Sequence, residues 1–337
     1  MLVMGIESSC DETSVALYDG RRMVHRTTTQ EVHRAWGGVV PELASRDHLR
    51  LILPMMTEVL DEWGIGIAEI DGVAATAGPG LVGALLVGLN MAKGLAMGSD
   101  IPLIAVNHLE GHLWVHQLNG EPMQPPFLSL IVSGGHTELV RVDGFGKYEI
   151  LGRTRDDAAG EALDKLGVLF GLKFPAGPEI DRLSRAADRH AFDFPRGMIH
   201  DGLDFSFSGL KTAVRVYLDQ DYEGVMSRRD DVLCSVQEAV VDVLLAKISR
   251  AVEQTGIRNV SVSGGVAANT RLRELADAQA KHHGYRIFFP ERAYCTDNAA
   301  MIAWVGRKRL LSGERSRLDE PVQPGWRLEI LTPPPQH

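Results

Sequence analysis

The sequence predicts a duplicated α/β protein with two lobes, and three observations predict it. The chain has 337 residues, enough for two domains. An opening strand–turn–strand, "LVMGIE" then "TSVALYD", is echoed from residue 127 by "FLSLIVSGGHTELVRVDG". The tetrapeptide V-S-G-G closes a strand twice, at 132–135 and at 262–265, as a repeated unit with two ligand-facing turns would do.

The elements follow in order. Residues 2–7 read as a buried strand with a hairpin partner after a polar turn. "ELASRDHLRLILPMMTEVLDEWG" reads as a helix: apolar positions recur at three and four, and a glycine closes it. "IDGVAATAGPG" is a strand entering a glycine-rich loop, and "LVGALLVGLNMAKGLAMG" a helix with small residues on one face. "PLIAVN" is a strand delivering the chain to "HLEGH", so that motif stands at a strand end, where sites of α/β folds are found. The Pro-rich "GEPMQPPF" marks a boundary near residue 123. The first lobe is then 1–122, with 304–337 packing back on it, and the second is 123–303, which carries Asp297. The tail "LTPPPQH" is expected to fray.

Bulk properties narrow the function. A formal charge of −9 does not favour nucleic acid, so an RNA partner needs a local basic patch or another subunit. Cys10, Cys234 and Cys295 form no C-x-x-C and are odd in number, which fits a reducing cytoplasm better than a disulfide framework. The N-terminus lacks a basic n-region, and no run of about 18 apolar residues suggests a membrane span.

His108 and His112 are four apart and share one helix face, as two ligands of one metal do. The register is H-x-E-G-H, not the H-E-x-x-H in which glutamate serves as a peptidase base. The alternative is a pair of surface or core-satisfied histidines. Asp297, at the start of a later helix, would complete a His-His-Asp set suited to zinc or ferrous iron, though spacing alone leaves its proximity open. Cys295 is either a further ligand or a buried inert thiol. The turns at 133–136 and 263–269 can aim N–H groups at an anion or be plain tight turns, and Asn269 can meet a ribose or base edge. Asp156, Asp157, Glu161 and Asp164 begin a helix, where its dipole stabilises them; Asp164 lies deeper and can hold a ribose hydroxyl pair. Basic residues gather at Arg307, Lys308, Arg309, Arg315 and Arg317, and at His33, Arg34, Arg46, His48 and Arg50, as solvated helix faces or an RNA surface.

Taken together, "GIESSCDETSVALYD", "GGVVPELASRDH", "TAGPGLVGALLVG", "NHLEGHL", "VSGGHTEL", "DDAAGEALDK", "PAGPEID", "LDFSFSGLKTAV", "SGGVAANTRLR" and "CTDNAAMIAW" resemble the TsaD family, from residue 3 to about 327 and in order. That family comprises bacterial tRNA threonylcarbamoyladenosine transferases, once described as O-sialoglycoprotein endopeptidases. The resemblance implies an actin/Hsp70/sugar-kinase (ASKHA) fold, with a nucleotide in the cleft between two lobes. It implies one Fe²⁺ or Zn²⁺ on His108, His112 and Asp297. It implies adenylate binding by Ile131, Val132, Ser133, Gly134, Gly135, Asp164, Gly177, Asp181 and Asn269. The reaction implied is transfer of threonylcarbamoyl from threonylcarbamoyl-AMP to a tRNA adenosine, with TsaB and TsaE as protein partners. In that fold the opening loop, with Ser9, Asp11 and Glu12, faces the cleft, so Asp11 or Glu12 is the candidate proton acceptor. The rival readings are a metallopeptidase, a kinase or ATPase of the same fold, and a scaffold for RNA modification.

Overall fold

The computed structural model describes residues 1–119 and 123–333. The Pro-rich boundary near 123 and the end of the C-terminal tail therefore fall partly outside the described residues. The chain forms two compact units, the first comprising 1–122, 144–148 and 297–337, the second 123–143 and 149–296.

In the first unit, β1 (Val3–Glu7) pairs antiparallel with β2 (Glu12–Tyr18), which pairs antiparallel with β3 (Met23–Thr29). The edge strand β3 escapes the sequence pattern because only Val24 in it is buried. On the other side β1 runs parallel to β4 (Gly72–Gly78), and β4 to β5 (Leu103–Asn107). Helix α1 (Pro41–Trp63) starts on a proline, whose missing N–H costs nothing there, and ends at Gly64 in the left-handed region. Its buried stripe, Ala44, His48, Ile52, Met55, Met56 and Val59, keeps helical spacing. Helix α2 (Val82–Ser99) is by length and composition apolar enough to cross a bilayer, yet Asn90 and Lys93 interrupt it and its Ala84, Gly88, Ala92 face is buried. Helix α3 (His108–Trp114) follows β5 directly, capped by Asn107, whose side chain accepts from Leu109 and Glu110 N–H.

The second unit repeats the plan. β6 (Phe127–Val132) pairs antiparallel with β7 (Thr137–Gly144) and parallel with β9 (Asn259–Ser263), which runs parallel to β10 (Arg286–Phe288); β8 (Lys147–Arg153) lies beside β7. The strand orders, β3-β2-β1-β4-β5 and β8-β7-β6-β9-β10, are the same. Helices α4 (Ala159–Leu169), α5 (Gly177–Leu183), α6 (Ser208–Gln220), α7 (Tyr222–Ser227), α8 (Arg229–Thr255) and α9 (Thr270–His283) complete it. Each unit has its own apolar core, around Met4, Ile6, Leu17 and Ile52 in the first and around Phe170, Phe205, Leu233 and Ile248 in the second. The chain then returns to the first unit as α10 (Ala299–Leu311).

Three expectations need correcting. The V-S-G-G repeat is not the lobe duplication: both copies end neighbouring strands, β6 and β9, of the second unit. The return to the first unit begins at Asp297, not 304, because α10 packs on β1, β2 and β4; a Cβ at Gly5 would lie 2.5 Å from Ala299 O. Asp156 and Asp157 precede α4; Asp156 instead accepts from the N–H groups of Phe207 (2.8 Å) and Ser208 (3.2 Å) at the start of α6.

Candidate active site

Asp297 therefore shares a unit with the histidines. His108 and His112 stand on α3 with rings edge to face, centroids 4.8 Å apart. Asp297 Oδ1 lies 3.4 Å from His108 Nε2 and 3.1 Å from His112 Nε2, and the three donor atoms fall within 4.8 Å of one another. A tetrahedral ion about 2.0–2.1 Å from its nitrogen ligands needs ligand atoms roughly 3.3 Å apart, and both Asp297–histidine separations are close to that, so Asp297 with either histidine is spaced as ligands of one divalent cation are. The electrostatics agree. Burial disfavours the His108 imidazolium, but Asp297 and Glu7 outweigh it and hold its pKa well above the ordinary imidazole value. Burial likewise disfavours the Asp297 carboxylate, yet the two histidines hold its pKa well below the usual range. The pocket is built for positive charge, and a bound cation would displace the proton.

Glu7, which the sequence reading missed, orients His108. Its Oε2 lies 2.9 Å from His108 Nδ1 and accepts from Thr76 Oγ1 (2.7 Å), while its Oε1 accepts from Ser9 N–H (2.6 Å). With Nδ1 turned to Glu7, Nε2 faces His112 and Asp297, the arrangement by which a carboxylate fixes a histidine ligand. The available signal was a single glutamate closing an otherwise apolar strand, since a charge buried there needs a partner.

Glu110 is not a displaced peptidase base. It is fully buried and accepts from Arg309 Nε (2.8 Å), Arg309 Nη2 (2.7 Å) and Tyr148 OH (2.7 Å). Gly111 has its own reason: a Cβ there would stand 2.9 Å from Met301 Cγ, so glycine lets α3 approach α10. His116 stacks on Trp114 and lies outside the donor set.

Asp11 and Glu12 lie in and after the β1–β2 loop, half-buried. Burial, then Asp11 and Asp297 nearby, push the Glu12 carboxyl well above the usual range.

In the second unit, the nine predicted adenylate residues gather at one end of the sheet. Ile131 and Val132 end β6, and Gly264, at φ +92°, lies against Val132 O where no Cβ fits. Gly160 N–H of α4 donates to Ser133 O (3.1 Å). Asp164 Oδ1 accepts from the N–H groups of Ala176 (2.7 Å) and Gly177 (3.3 Å). Asp181 accepts from Thr270 N (3.0 Å) and Oγ1 (2.8 Å), beside Asn269, whose Oδ1 caps α9 and whose Nδ2 donates to Gln237 Oε1 (2.7 Å). The parallel strands β6 and β9 end here, the usual ligand end of an α/β sheet. The 133–135 turn offers an anion less than its glycines suggest. Ser133 N–H is spent on His136 O and Gly135 N–H on Ser133 Oγ; only Gly134 N–H has no partner among the described residues.

The basic clusters are not simply solvated faces. Arg309, His33 and His48 are buried. Arg317 pairs with Asp319, Arg307 donates to Met1 O, Arg315 to Leu310 O, and Lys308 lies over the Phe145 ring. Arg34, Arg46 and Arg50 pair with Glu31, Glu42 and Asp47. Cys295 lies outside the donor set found among the described residues; it is buried, 3.2 Å from Arg273 Nη2.

Residues 22–304 match the family model described as TsaD, tRNA N6-adenosine threonylcarbamoyltransferase. The chain is 48% identical to the tRNA N6-adenosine threonylcarbamoyltransferase of Methylobacillus flagellatus, over 99% of this chain and 100% of the relative. Among solved structures, full-length HypF in a phosphate- and nucleotide-bound form aligns at TM-score 0.62 and 13% identity, over 92% of this chain and 46% of that one. Component A of (R)-2-hydroxyglutaryl-CoA dehydratase from Acidaminococcus fermentans aligns at TM-score 0.57 and 14% identity, over 92% and 99%. These likenesses show the fold, which is of the actin/Hsp70/sugar-kinase type.

Proposed function

The chain belongs to the TsaD family of tRNA N6-adenosine threonylcarbamoyltransferases, and on that premise we propose that it transfers threonylcarbamoyl from threonylcarbamoyl-AMP to N6 of the tRNA adenosine 3′-adjacent to the anticodon. The products are threonylcarbamoyladenosine and AMP. The observation that carries the reading is the His108, His112, Asp297 donor set in a chain that matches the relative along its whole length.

The donor is a mixed anhydride, so AMP is already a good leaving group. The adenosine N6 attacks the carbamoyl carbon, the C–O bond to phosphate breaks, and AMP departs with that electron pair. Catalysis is then mostly positioning and charge stabilisation. We assign the adenylate to the sheet end built by Ile131, Val132, Ser133, Gly134, Gly135, Asp164, Gly177, Asp181 and Asn269; their convergence supports this, and Gly134 N–H is the donor assigned to phosphate. Asp11 or Glu12 takes the proton lost by N6; burial, with Asp11 and Asp297 nearby, raises the proton affinity of the Glu12 carboxylate. A ferrous or zinc ion on His108, His112 and Asp297 would supply Lewis-acid polarisation of the donor's oxygens. Glu7 keeps His108 turned to that position. A peptidase role loses its base, because Glu110 is committed to Arg309.

Family membership also supports TsaB and TsaE as partners, and a net charge of −9 supports leaving part of the attraction for tRNA to them. The tRNA substrate and the free thiols of Cys10, Cys234 and Cys295 support a cytoplasmic location.

The test is nucleoside analysis of unmodified tRNA incubated with this protein, TsaB, TsaE and threonylcarbamoyl-AMP. Threonylcarbamoyladenosine is expected with wild type and not with His108→Ala. No product from a metal-loaded wild-type complex would overturn the reading; full activity of a metal-free His108→Ala protein would overturn the role of the ion.

A further inference from the structure

The loop between β1 and β2 is held by three successive carbonyls, each bound by a different element. Ser9 O accepts from Leu81 N (2.8 Å) and Asp11 O from Gln30 N (3.0 Å). Cys10 O, between them, lies 2.9 Å from His48 Nε2 of α1. That third bond is the far end of a buried chain of side chains whose polarity is set from both ends.

At the near end Val40 N–H donates to His33 Nδ1 (3.2 Å). An imidazole nitrogen that accepts carries no proton, so His33 is neutral and its Nε2–H donates to Gln30 Oε1 (2.9 Å). The Gln30 amide is fixed independently, because its Nε2 also donates to Ala44 O (3.2 Å). The same Nε2 lies 3.4 Å from Thr13 Oγ1. At the far end a carbonyl can only accept, so His48 Nε2 carries a proton. Neutral His48 then accepts at Nδ1 from the Thr13 hydroxyl, 2.8 Å away. Thr13, Gln30, His33 and His48 are at most 3% exposed, so no water substitutes for a lost member. A backbone donor at Val40 and a backbone acceptor at Cys10 are thereby joined by one directed run of hydrogen bonds.

We propose that Thr13, Gln30, His33 and His48 are positioning residues for the transfer, holding the loop that carries Ser9, Asp11 and Glu12 in one register through Cys10 O. The catalytic part of this proposal rests on the function proposed above; the hydrogen-bond polarity does not.

The test therefore has two arms. Nitrogen NMR of the full-length protein labelled at histidine reads the tautomers directly, with no activity needed. His33 and His48 are both expected as neutral Nε2–H tautomers; an Nδ1–H tautomer at either would overturn the chain. The second arm is kinetics of the reconstituted transferase with His48→Leu, Thr13→Val and His48→Gln. Glutamine can still donate to Cys10 O and accept from Thr13, whereas leucine can do neither. We expect His48→Leu and Thr13→Val to lower kcat about tenfold or more with KM for tRNA nearly unchanged, as misplaced groups do. His48→Gln is expected to recover most of the loss. Equal kcat in all three variants, or a loss that glutamine does not relieve, would overturn the positioning role. An inactive wild type with Nε2–H tautomers intact would count against the proposed function alone.

Discussion

Glu110 and Arg309, 199 residues apart, form a buried two-point ion pair at 2.7 and 2.8 Å. It joins α3, which carries both histidines, to α10, whose N-terminal side carries Asp297. Arg309 also holds Glu314 (2.7 Å), and Tyr148 completes Glu110. Arg309→Met strands two carboxylates, one of them fully buried, and is expected to cost about 3–5 kcal/mol in denaturant unfolding. The double variant Glu110→Leu/Arg309→Met should recover much of that stability, since it leaves no charge unpaired in the interior. A single variant as stable as wild type would show that the pair does not tie the two helices.

Glu7 predicts a metal phenotype without touching the ion. Glu7→Ala removes the carboxylate acceptor from His108 Nδ1 and leaves only Ser9 Oγ, 3.3 Å away, to orient the ring. Metal affinity measured by competition with a chelating dye is expected to fall about 10–100-fold. Glu7→Gln, which keeps an oxygen there, should fall less. Unchanged affinity in Glu7→Ala would remove Glu7 from the site.

Asp156 predicts an effect confined to the second unit. Besides its two N–H partners it accepts from Ser206 Oγ (2.5 Å) and Ser208 Oγ (2.8 Å). Burial raises its pKa, but these bonds together outweigh it and hold the carboxyl below the usual range. Asp156→Ala is expected to cost about 1–2 kcal/mol, the usual effect of losing a helix cap. A melting temperature within error of wild type would refute it.

His48 predicts how stability varies with pH. Burial pushes its pKa below the ordinary value, and the Cys10 carbonyl only partly restores it. The folded protein therefore keeps His48 neutral where the unfolded chain takes up a proton. Its contribution is complete above about pH 6.5 and is lost as pH falls from there through the lower folded-state value. Unfolding of wild type and His48→Gln, followed from pH 7.5 to 5 (about the range in which imidazole titrates), should diverge below about 6.5, the variant losing less. Parallel curves would mean that His48 does not bind its proton differently in the two states.

The sequence by itself determined everything that depends on near neighbours. The β1–β2 hairpin, α1 from its proline to Gly64, and the shared face of His108 and His112 all follow from periods of 2 and 3.6 residues and from turn chemistry. Likeness of motifs along the chain determined the family. What the tertiary structure decided is which distant groups meet. Spacing does not tell that Asp297 belongs with α3, that Glu7 serves His108 across 101 residues, or that Glu110 answers Arg309 and not a substrate. The physical reason is that a buried charge must find a partner, but the partner is chosen by which strand and helix ends the sheet order brings together. That order is set by many weak apolar contacts summed over each core, and no local pattern records it.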